Sequence, residues 1–339
     1  MSYTILTDEK LINWQQLEMF TKKHPNGNFF QSIPYYRFYK EQKDYHTIIV
    51  VAEDANKEIV GSVICIVNRL LHKYKFDFLS RALVMGGPLV KEGEDKLLIT
   101  KKIITELSRL VKPKSVALEI RNLFDVSDIR PAIEKSGLVY NEHLNFLIKT
   151  GDGEVALSRI KQGKRQQIRK SLTAGVEIGK ATSIEDVKRF YELLTILYKT
   201  KVKKPFPKWD FFERFFNMGE EVGIYLVVKY EGKVVSGMMC PIFENKIFYD
   251  WYVAGDDKNF RNLYPSVIIT YAGIEYAVKN NIALYDFLGA GKPKQEYGVR
   301  DFKAQFGGDL VNNGRFALTY NMRKYNFSQW LLKRMGYFK

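Results

Sequence analysis

The chain contains two similar halves, and this internal repeat constrains its fold more than any other feature. The segment Ala283–Leu288 resembles Ser115–Ile120, and Phe306–Leu318 resembles Ser136–Ile148. Each pair of segments is separated by about 170 residues, so the similarity extends over a whole folding unit. We therefore predict that one architectural unit is present twice.

The two halves differ in one motif. Their hairpin cores, IVGSVIC (Ile59–Cys65) and VVSGMMC (Val234–Cys240), recur at a similar offset. Only the second half carries Phe302 and Lys303, within DFKAQFGG, after an apolar strand and a Gly-rich turn. The Phe-Lys pair therefore distinguishes the second unit from the first.

The length of 339 residues suits two globular units of ordinary size, each able to bury its own core. The segment 151–153 contains two glycines and is the predicted boundary. We predict a first repeat at 1–150 and a second repeat, carrying the Phe-Lys pair, at 151–319. The tail 320–339 is predicted to pack back on the first repeat.

Hydrophobic periodicity predicts mixed α/β units. Alternating and β-branched residues at 47–67 and 223–244 predict a β-hairpin in each half. A helical period at Glu94–Val111 and Tyr264–Asn280 predicts a long helix in each half. Short strands follow both helices, so we expect an α/β fold (α+β, with mixed sheets).

The net charge of +15 predicts affinity for an anionic ligand. Two segments, Arg159–Lys170 and Lys199–Lys208, concentrate cations and contain no acid. RNA, a nucleotide diphosphate, a lipid pyrophosphate or a membrane face would suit such a charge. A generic basic surface is the alternative.

Cysteine and histidine content argues against a disulfide framework or a metal site. Cys65 and Cys240 occupy equivalent apolar positions in the two hairpins and are predicted to be buried and reduced. The four histidines show no ligand spacing, so no metal is expected. The polar N-terminus and the lack of a long apolar run predict a cytoplasmic protein.

The order of elements resembles the GNAT acyltransferase fold, and two such units in tandem resemble the FemAB family, the peptidoglycan-bridge aminoacyltransferases. The matching segments are His24–Ser32, Arg81–Val90, Arg165–Ile178, Tyr264–Ala290 and Phe302–Gly308. The last, FKAQFGG, is the most specific. The resemblance implies two tandem GNAT-like domains and an acyltransferase.

The resemblance assigns catalysis to the Phe-Lys pair. Attack of a neutral amine on an ester or thioester needs stabilisation of the oxyanion and removal of a proton. We predict that Lys303 is the cation near the oxyanion and that Phe302 orients it. The alternative is a solvated lysine on an amphipathic turn.

Further residues are predicted to bind substrate. Gln31 and Lys40 match the segment that holds the acceptor's phosphates in the family. The family also has a basic residue after the long helix of its second repeat, and the candidates for it here are Lys201, Lys203 and Lys204. The groove-lining strand is predicted to present Asp250, Trp251 and Tyr252, although strand aromatics also suit a core. Asp286 could be either a structural cap or a base.

The donor is predicted from a motif that this chain lacks. A GNAT domain that uses acetyl-CoA needs glycines before its long helix, where backbone N–H groups hold the pyrophosphate. Here that place reads RNLYPS, Arg261–Ser266, and in the first repeat KEGEDK, Lys91–Lys96. No bound cofactor is expected, and the donor implied by the resemblance is aminoacyl-tRNA, with acyl-CoA as the alternative.

These observations predict a FemAB-like transferase that moves an aminoacyl or acyl group onto an amine of a phosphate-bearing cell-envelope precursor, either peptidoglycan or a polysaccharide or lipid. An acyl-CoA-dependent N-acyltransferase is the first alternative. A noncatalytic RNA- or membrane-surface-binding protein is the second. The protein is expected to be a monomer, and its basic aromatic tail, Asn326–Lys339, offers peripheral contact with the inner face of the membrane.

Overall fold

The computed structural model describes residues 2–69 and 79–337, which divide into two compact units. The first unit contains Met1–His143 and Asn312–Met335, and the second contains Leu144–Val311 and Gly336–Lys339.

The first part of the chain forms seven strands and four α-helices among the described residues. In chain order these are β1 (Thr4–Leu6), α1 (Trp14–Lys23), α2 (Ile33–Lys40), β2 (Tyr45–Glu53), β3 (Ile59–Arg69), β4 (Ser80–Met85), β5 (Leu89–Val90), α3 (Lys96–Val111), β6 (Ala117–Arg121), α4 (Arg130–Lys135) and β7 (Val139–Asn141).

The second unit repeats this order of elements with additions at its start. Its elements are β8 (Leu144–Lys149), α5 (Gly153–Ser158), α6 (Gln162–Thr173), β9 (Glu177–Lys180), α7 (Ile184–Leu197), α8 (Trp209–Met218), β10 (Gly223–Tyr230), β11 (Lys233–Phe243), β12 (Ile247–Tyr249), β13 (Tyr252–Gly255), α9 (Pro265–Lys279), β14 (Leu284–Asp286), α10 (Gly298–Lys303) and β15 (Asp309–Asn312).

Two further elements return to the first unit, β16 (Arg315–Thr319) and α11 (Met322–Arg334). The described strands form two mixed sheets of eight. The first has the order β1-β2-β3-β4-β6-β16-β7, with β5 beside β3. The second has the order β15-β8-β14-β12-β11-β10-β9, with β13 beside β11. The predicted mixed α/β class is confirmed.

Each unit buries its own core between its sheet and its long helix. In the first, Val63 on β3 and Leu118 on β6 pack with Ile103 on α3. In the second, Met238 on β11 and Tyr285 on β14 pack with Ile268 on α9. Burying one such side chain stabilises a fold by roughly 1.5–3 kcal/mol, so the apolar face of each helix fixes it to its sheet. Both cysteines are buried and reduced, as predicted.

The predicted boundaries near residues 150 and 319 differ from those of the structure. Leu144–Lys149, assigned to the first repeat, pairs antiparallel with β14 of the second sheet. Arg315–Thr319, assigned to the second repeat, pairs antiparallel with β6 of the first sheet. The two units have therefore exchanged their equivalent strands. Both strands alternate in the same way, and alternation fixes which face is buried but not which sheet is joined.

The tail lies where the sequence predicts. Residues 322–334 form α11, which belongs to the first unit, and the guanidinium of Arg81 lies 5.3 Å from the ring of Tyr325. Within residues 2–69 and 79–337, no helix is both long and apolar enough to cross a bilayer.

Candidate active site in the second unit

The site lies where two parallel strands of the second sheet separate. β12 and β14 pair over three positions, and the last pair is Tyr249 with Asp286. The next residue, Asp250, donates its backbone N–H to the carbonyl of Asp286 at 3.0 Å. Trp251 then donates to Met239 on the other side, and β13 continues paired with β11. The end of β14 therefore lies beside a notch in the sheet.

Lys303, the last residue of α10, is held at this notch by carbonyl groups. Its Nζ donates to the carbonyl of Phe287 at 2.7 Å and to that of Gly289 at 2.8 Å. It also lies 5.4 Å from the centroid of the Phe287 ring. An ammonium group has three N–H donors, so these two bonds fix its direction and leave one donor for a ligand.

Asp286 is a structural cap for the turn that positions those carbonyls. Its Oδ1 accepts hydrogen bonds from the backbone of Leu288 at 2.6 Å and from the amide of Asn145 at 2.7 Å. The amide oxygen of Asn145 accepts in turn from the backbone of Gly289 at 2.6 Å. Asp286 therefore holds the carbonyl ligands of Lys303, which favours the cap over the base among its two predicted roles.

Asp250 is better placed for proton transfer. It is only 5% exposed, and the hydroxyl of Tyr285 donates to its Oδ2 at 3.3 Å. Its carboxylate accepts a hydrogen bond from this neutral hydroxyl, whereas Asp286 accepts two hydrogen bonds, from Asn145 and from the backbone of Leu288. A buried carboxylate with a single neutral donor is a suitable general base.

The three charged groups perturb one another. Burial raises the pKa of Asp250, although the charge of Lys303 and the bond from Tyr285 oppose it. Burial likewise raises the pKa of Asp286 to about 6. Burial lowers the pKa of Lys303, against the attraction of both carboxylates. Shifted titratable groups gathered in one cleft are a signature of a functional site.

Phe302 does not orient Lys303 as predicted. Its ring packs against Phe306 with centroids 5.1 Å apart, and the Nζ of Lys164 lies 5.0 Å from its centroid. The role predicted for it belongs to Phe287, which supplies both a carbonyl and a ring to Lys303. Adjacent residues on a helix point about 100° apart, so they rarely serve the same point.

The N-terminus of α9 already holds a carboxylate. Asp257 accepts a hydrogen bond from the backbone N–H of Ser266 at 3.1 Å and a second one from the hydroxyl of Ser266. Pro265 begins the helix and supplies no N–H, and Tyr264 before it is in the left-handed region with φ 47°. A pyrophosphate at this helix start would meet a negative charge in place of free amide donors.

The predicted substrate-binding strand joins an aromatic cluster. Trp251 packs edge-on against Phe211 at 5.5 Å, and Tyr252 packs edge-on against Phe212 at 5.3 Å. Both are half-buried, so they have core contacts together with an open edge. Three lysines lie near this cluster in sequence, on the segment between α7 and α8, of which Lys201 and Lys204 are exposed and Lys203 is half-buried.

Two predicted binding residues lie in the first unit and already have protein partners. Gln31 is 1% exposed. Its side-chain NH₂ donates to the carbonyls of Ile64 and Met85, and its side-chain oxygen accepts the backbone N–H of Ile64. It crosslinks β3 and β4, which corrects its prediction as a ligand contact. Lys40 is ion-paired with Glu9 and donates to the hydroxyl of Tyr36 at 3.3 Å.

Sequence reasoning missed four residues that the site uses. Phe287 and Tyr285 resemble ordinary core aromatics, and Asn145 is a lone amide about 140 residues from its partner Asp286. Asp257 lies nine residues before the amide that it caps, outside the spacing of a capping box. Of these four, only Asp257 could have been found from the sequence, because an acidic residue in the loop before α9 is unfavourable in a phosphate-binding site.

Comparison with known proteins supports the fold. The model of the FemAB family matches residues 226–333. The structure of FemX resembles this chain with a TM-score of 0.70 and 16% identity, covering 96% of this chain and 99% of FemX. No protein of curated function matches the sequence.

Two further structures show the same fold at lower similarity. A tandem GNAT protein from the clavulanic acid biosynthesis pathway has a TM-score of 0.59 and 9% identity, covering 94% of this chain and 99% of that protein. L-PGS from Bacillus licheniformis has a TM-score of 0.59 and 13% identity, covering 95% and 96%. The chain has a tandem GNAT-like fold, and its second unit is similar to the FemAB family, as its motifs predict; these matches support an acyl- or aminoacyltransferase.

Proposed function

We propose that this protein transfers an aminoacyl group from aminoacyl-tRNA to an amine of a phosphate-bearing cell-envelope precursor. The observation that carries the proposal is the ammonium group of Lys303, held by two carbonyls beside a buried carboxylate in the notch of the second sheet. A fixed cation and a nearby base are the two groups that aminolysis of an ester requires.

The reaction assigns one step to each group. The neutral acceptor amine attacks the ester carbonyl of the donor and forms the new C–N bond. The carbonyl oxygen becomes an oxyanion, and the third N–H of Lys303 donates to it. Asp250 accepts the proton that the amine loses. The oxyanion then re-forms the carbonyl and the C–O bond of the ester breaks, while the proton passes from Asp250 to the departing ribose oxygen, which leaves as a hydroxyl.

The donor proposal rests on the start of α9. The carboxylate of Asp257 accepts the hydrogen bond of the amide that a CoA pyrophosphate would use, whereas α6, which contains no acid, contacts the same loop through Ser171 and Leu263. Lysines and arginines without intervening acids suit an RNA backbone, which carries a phosphate at every nucleotide. A charged tRNA therefore fits this unit better than acyl-CoA does.

The acceptor proposal concerns phosphate anchoring. Lys201 and Lys204 are exposed cations on an acid-free segment, and lysine binds phosphate as a point charge. Lys40 would contribute only after its ion pair with Glu9 opens. We propose a nucleotide-sugar or lipid-linked precursor because both present a diphosphate beside the group that is modified.

Calorimetry with acetyl-CoA and with charged tRNA tests the donor. We expect no saturable heat with acetyl-CoA and binding of charged tRNA that weakens steeply as salt rises. The double variant Arg169→Ala/Lys170→Ala on α6 should reduce the salt dependence. The matched variant Lys233→Ala/Lys279→Ala, which removes two exposed cations away from α6 and the loop before α9, should not.

The two alternatives predict different outcomes of these experiments. Binding of acetyl-CoA at micromolar concentration would contradict tRNA as the donor and would indicate an acyl-CoA-dependent N-acyltransferase. Binding of RNA without transfer to any amine, in the presence of nucleotide-linked and lipid-linked precursors, would instead favour a noncatalytic binding protein.

A further inference from the structure

The C-terminal helix α11 is attached to the first unit by one face only. Ser328 and Leu332 are buried, and Tyr325 lies against the guanidinium of Arg81 at 5.3 Å. At about 100° per residue, these three positions lie within an arc of about 60° on the helix wheel. The other positions of this helix of 13 residues are half-buried or exposed.

An aromatic pair lies on the outward face. Phe327 is 50% exposed and Trp330 is 49% exposed, and their rings stack with centroids 5.6 Å apart. The guanidinium of Arg334 lies 4.6 Å from the centroid of the Trp330 ring. Residues 327, 330 and 334 are three and four apart, so they form one continuous strip along the helix.

Cations surround this aromatic strip, and acids are absent from it. Arg323, Lys324, Lys333 and Arg334 are all exposed. The sequence contains no Asp or Glu after Asp309. An exposed aromatic pair on a helix whose polar positions carry only positive charge has the composition of a helix that lies in the interface of a bilayer.

We propose that α11 binds the surface of an anionic phospholipid membrane. Trp and Phe would insert between headgroups, while the four cations bind phosphates around them. A nucleic acid is less well matched because the Trp330 ring already stacks on Phe327 and contacts Arg334, which leaves less of it for a base.

This surface lies in the first unit, outside the candidate active site, so the inference goes beyond the proposed transfer reaction. It gives the first unit a function of its own, which is to hold the protein at a lipid surface. Membrane binding can therefore be measured without any substrate.

Vesicle sedimentation with the full chain tests the proposal. We expect binding to phosphatidylcholine vesicles that contain phosphatidylglycerol, little binding to phosphatidylcholine alone, and weakening by salt. The double variants Phe327→Ser/Trp330→Ser and Lys333→Glu/Arg334→Glu should each lower the partition coefficient at least about tenfold. Their melting temperatures should stay close to that of the wild type, since all four side chains are exposed.

Two matched controls distinguish the effect of α11 from effects of the net charge and of the exposed apolar surface of the whole protein. Lys233→Glu/Lys258→Glu makes the same change in net charge in the second unit and should bind as the wild type does. Leu11→Ser/Leu97→Ser removes two exposed apolar side chains elsewhere in the first unit and should also bind normally.

Three results would overturn the proposal. The first is equal binding of the wild type to anionic and neutral vesicles. The second is full binding by the α11 variants. The third is a loss of binding by the control variants as large as that of the α11 variants. Binding of single-stranded RNA that the same α11 variants abolish, with no vesicle binding, would assign the surface to nucleic acid.

Discussion

The two units pair their central parallel strands to different lengths. In the first, β4 and β6 pair over five positions, ending at Met85 with Arg121. In the second, β12 and β14 pair over three, ending at Tyr249 with Asp286. Both ladders end in the same way, since the next residue, Gly86 or Asp250, donates its backbone N–H to the last carbonyl of the partner strand. The second unit adds Lys303, whose ammonium is held by the carbonyls of Phe287 and Gly289 just beyond that end.

The acid on the paired strand of the first unit is fully compensated. Glu119 on β6 accepts from Arg121 at 2.9 Å and from Arg315 at 3.1 Å through the same oxygen. Burial raises the pKa of Glu119, but the two arginines outweigh it and bring the pKa to about 2. Such an acid stays ionised at neutral pH and is suited to a structural role, here an ion cluster with two arginines.

The acids of the second unit have the opposite balance. Burial dominates at Asp250 and Asp286, whose pKa values are raised, and Lys303 gives its hydrogen bonds to carbonyls. The same fold therefore supports a compensated ion cluster in one copy and an uncompensated one in the other. Uncompensated titratable groups are the ones that can exchange protons with a substrate.

Replacing Lys303 should have the largest effect. Lys303→Ala removes the donor to the oxyanion, and we expect turnover to fall roughly 10²–10³-fold. Steady-state kinetics at saturating substrate measures it, with circular dichroism to confirm the fold. The matched control is Lys135→Ala, which removes the exposed last residue of the corresponding helix α4 in the first unit. Equal turnover of Lys303→Ala and wild type would remove Lys303 from the mechanism.

Replacing Asp250 should come next. Asp250→Asn removes the proposed base, and we expect turnover to fall about 10²-fold. In the wild type, activity should rise with pH through the raised pKa of Asp250, and the variant should lose this acid limb. The bond from Tyr285 lowers that pKa, so Tyr285→Phe should move the limb to higher pH.

A matched tyrosine tests this assignment. Tyr271→Phe removes a hydroxyl that donates to Glu275 on α9, in the same unit, and should leave the pH profile unchanged. If Tyr285→Phe also left the acid limb in place, a group other than Asp250 would be the titrating base.

The comparison also predicts opposite effects of pH on stability. Burial raises the pKa of Asp286 to about 6 from 3.8, so its ionisation in the folded state costs roughly 3 kcal/mol. The stability that protonated Asp286 contributes is complete below about pH 4 and is lost as pH rises through 6. Wild type should therefore lose stability relative to Asp286→Asn across this range, as measured by denaturant titration.

Glu119 should show the reverse. Its folded pKa of about 2 lies below the ordinary 4.5, so its contribution is present above pH 4.5 and is lost as pH falls toward 2. Wild type should therefore lose stability relative to Glu119→Gln on acidification. Parallel curves for the two variants would contradict the difference between the units.

The sequence predicts most of the fold because periodicity reports local structure directly. The long helices and hairpins lie within a few residues of their predicted bounds. The exchange of Leu144–Lys149 with Arg315–Thr319 could not be predicted, since both strands present a buried Phe, Phe146 and Phe316, in the same alternation. Which sheet each joins depends on contacts made across the whole chain.

The candidate site divides in the same way. Lys303 is predicted through the resemblance of its Phe-Lys motif to the FemAB family, and Asp250 is predicted only as a substrate contact on the groove-lining strand. Phe287 and Asn145 act through a backbone carbonyl and a bond to a distant residue, which leave no pattern in the sequence. Gln31 shows the converse error, because a polar residue in a matching motif is here a buried crosslink.

The smallest expected effect concerns Lys40, the one predicted binding residue of the first unit that could still reach a ligand. Its ion pair with Glu9 competes with any phosphate, and an exposed pair is worth at most about 1 kcal/mol. Lys40→Met should raise the acceptor KM a few-fold and leave kcat unchanged, since phosphate anchoring stabilises ground state and transition state alike. Glu9→Gln frees the ammonium and should lower KM. If neither variant changes KM, both substrates bind through the second unit, and the division of roles between the two units becomes complete.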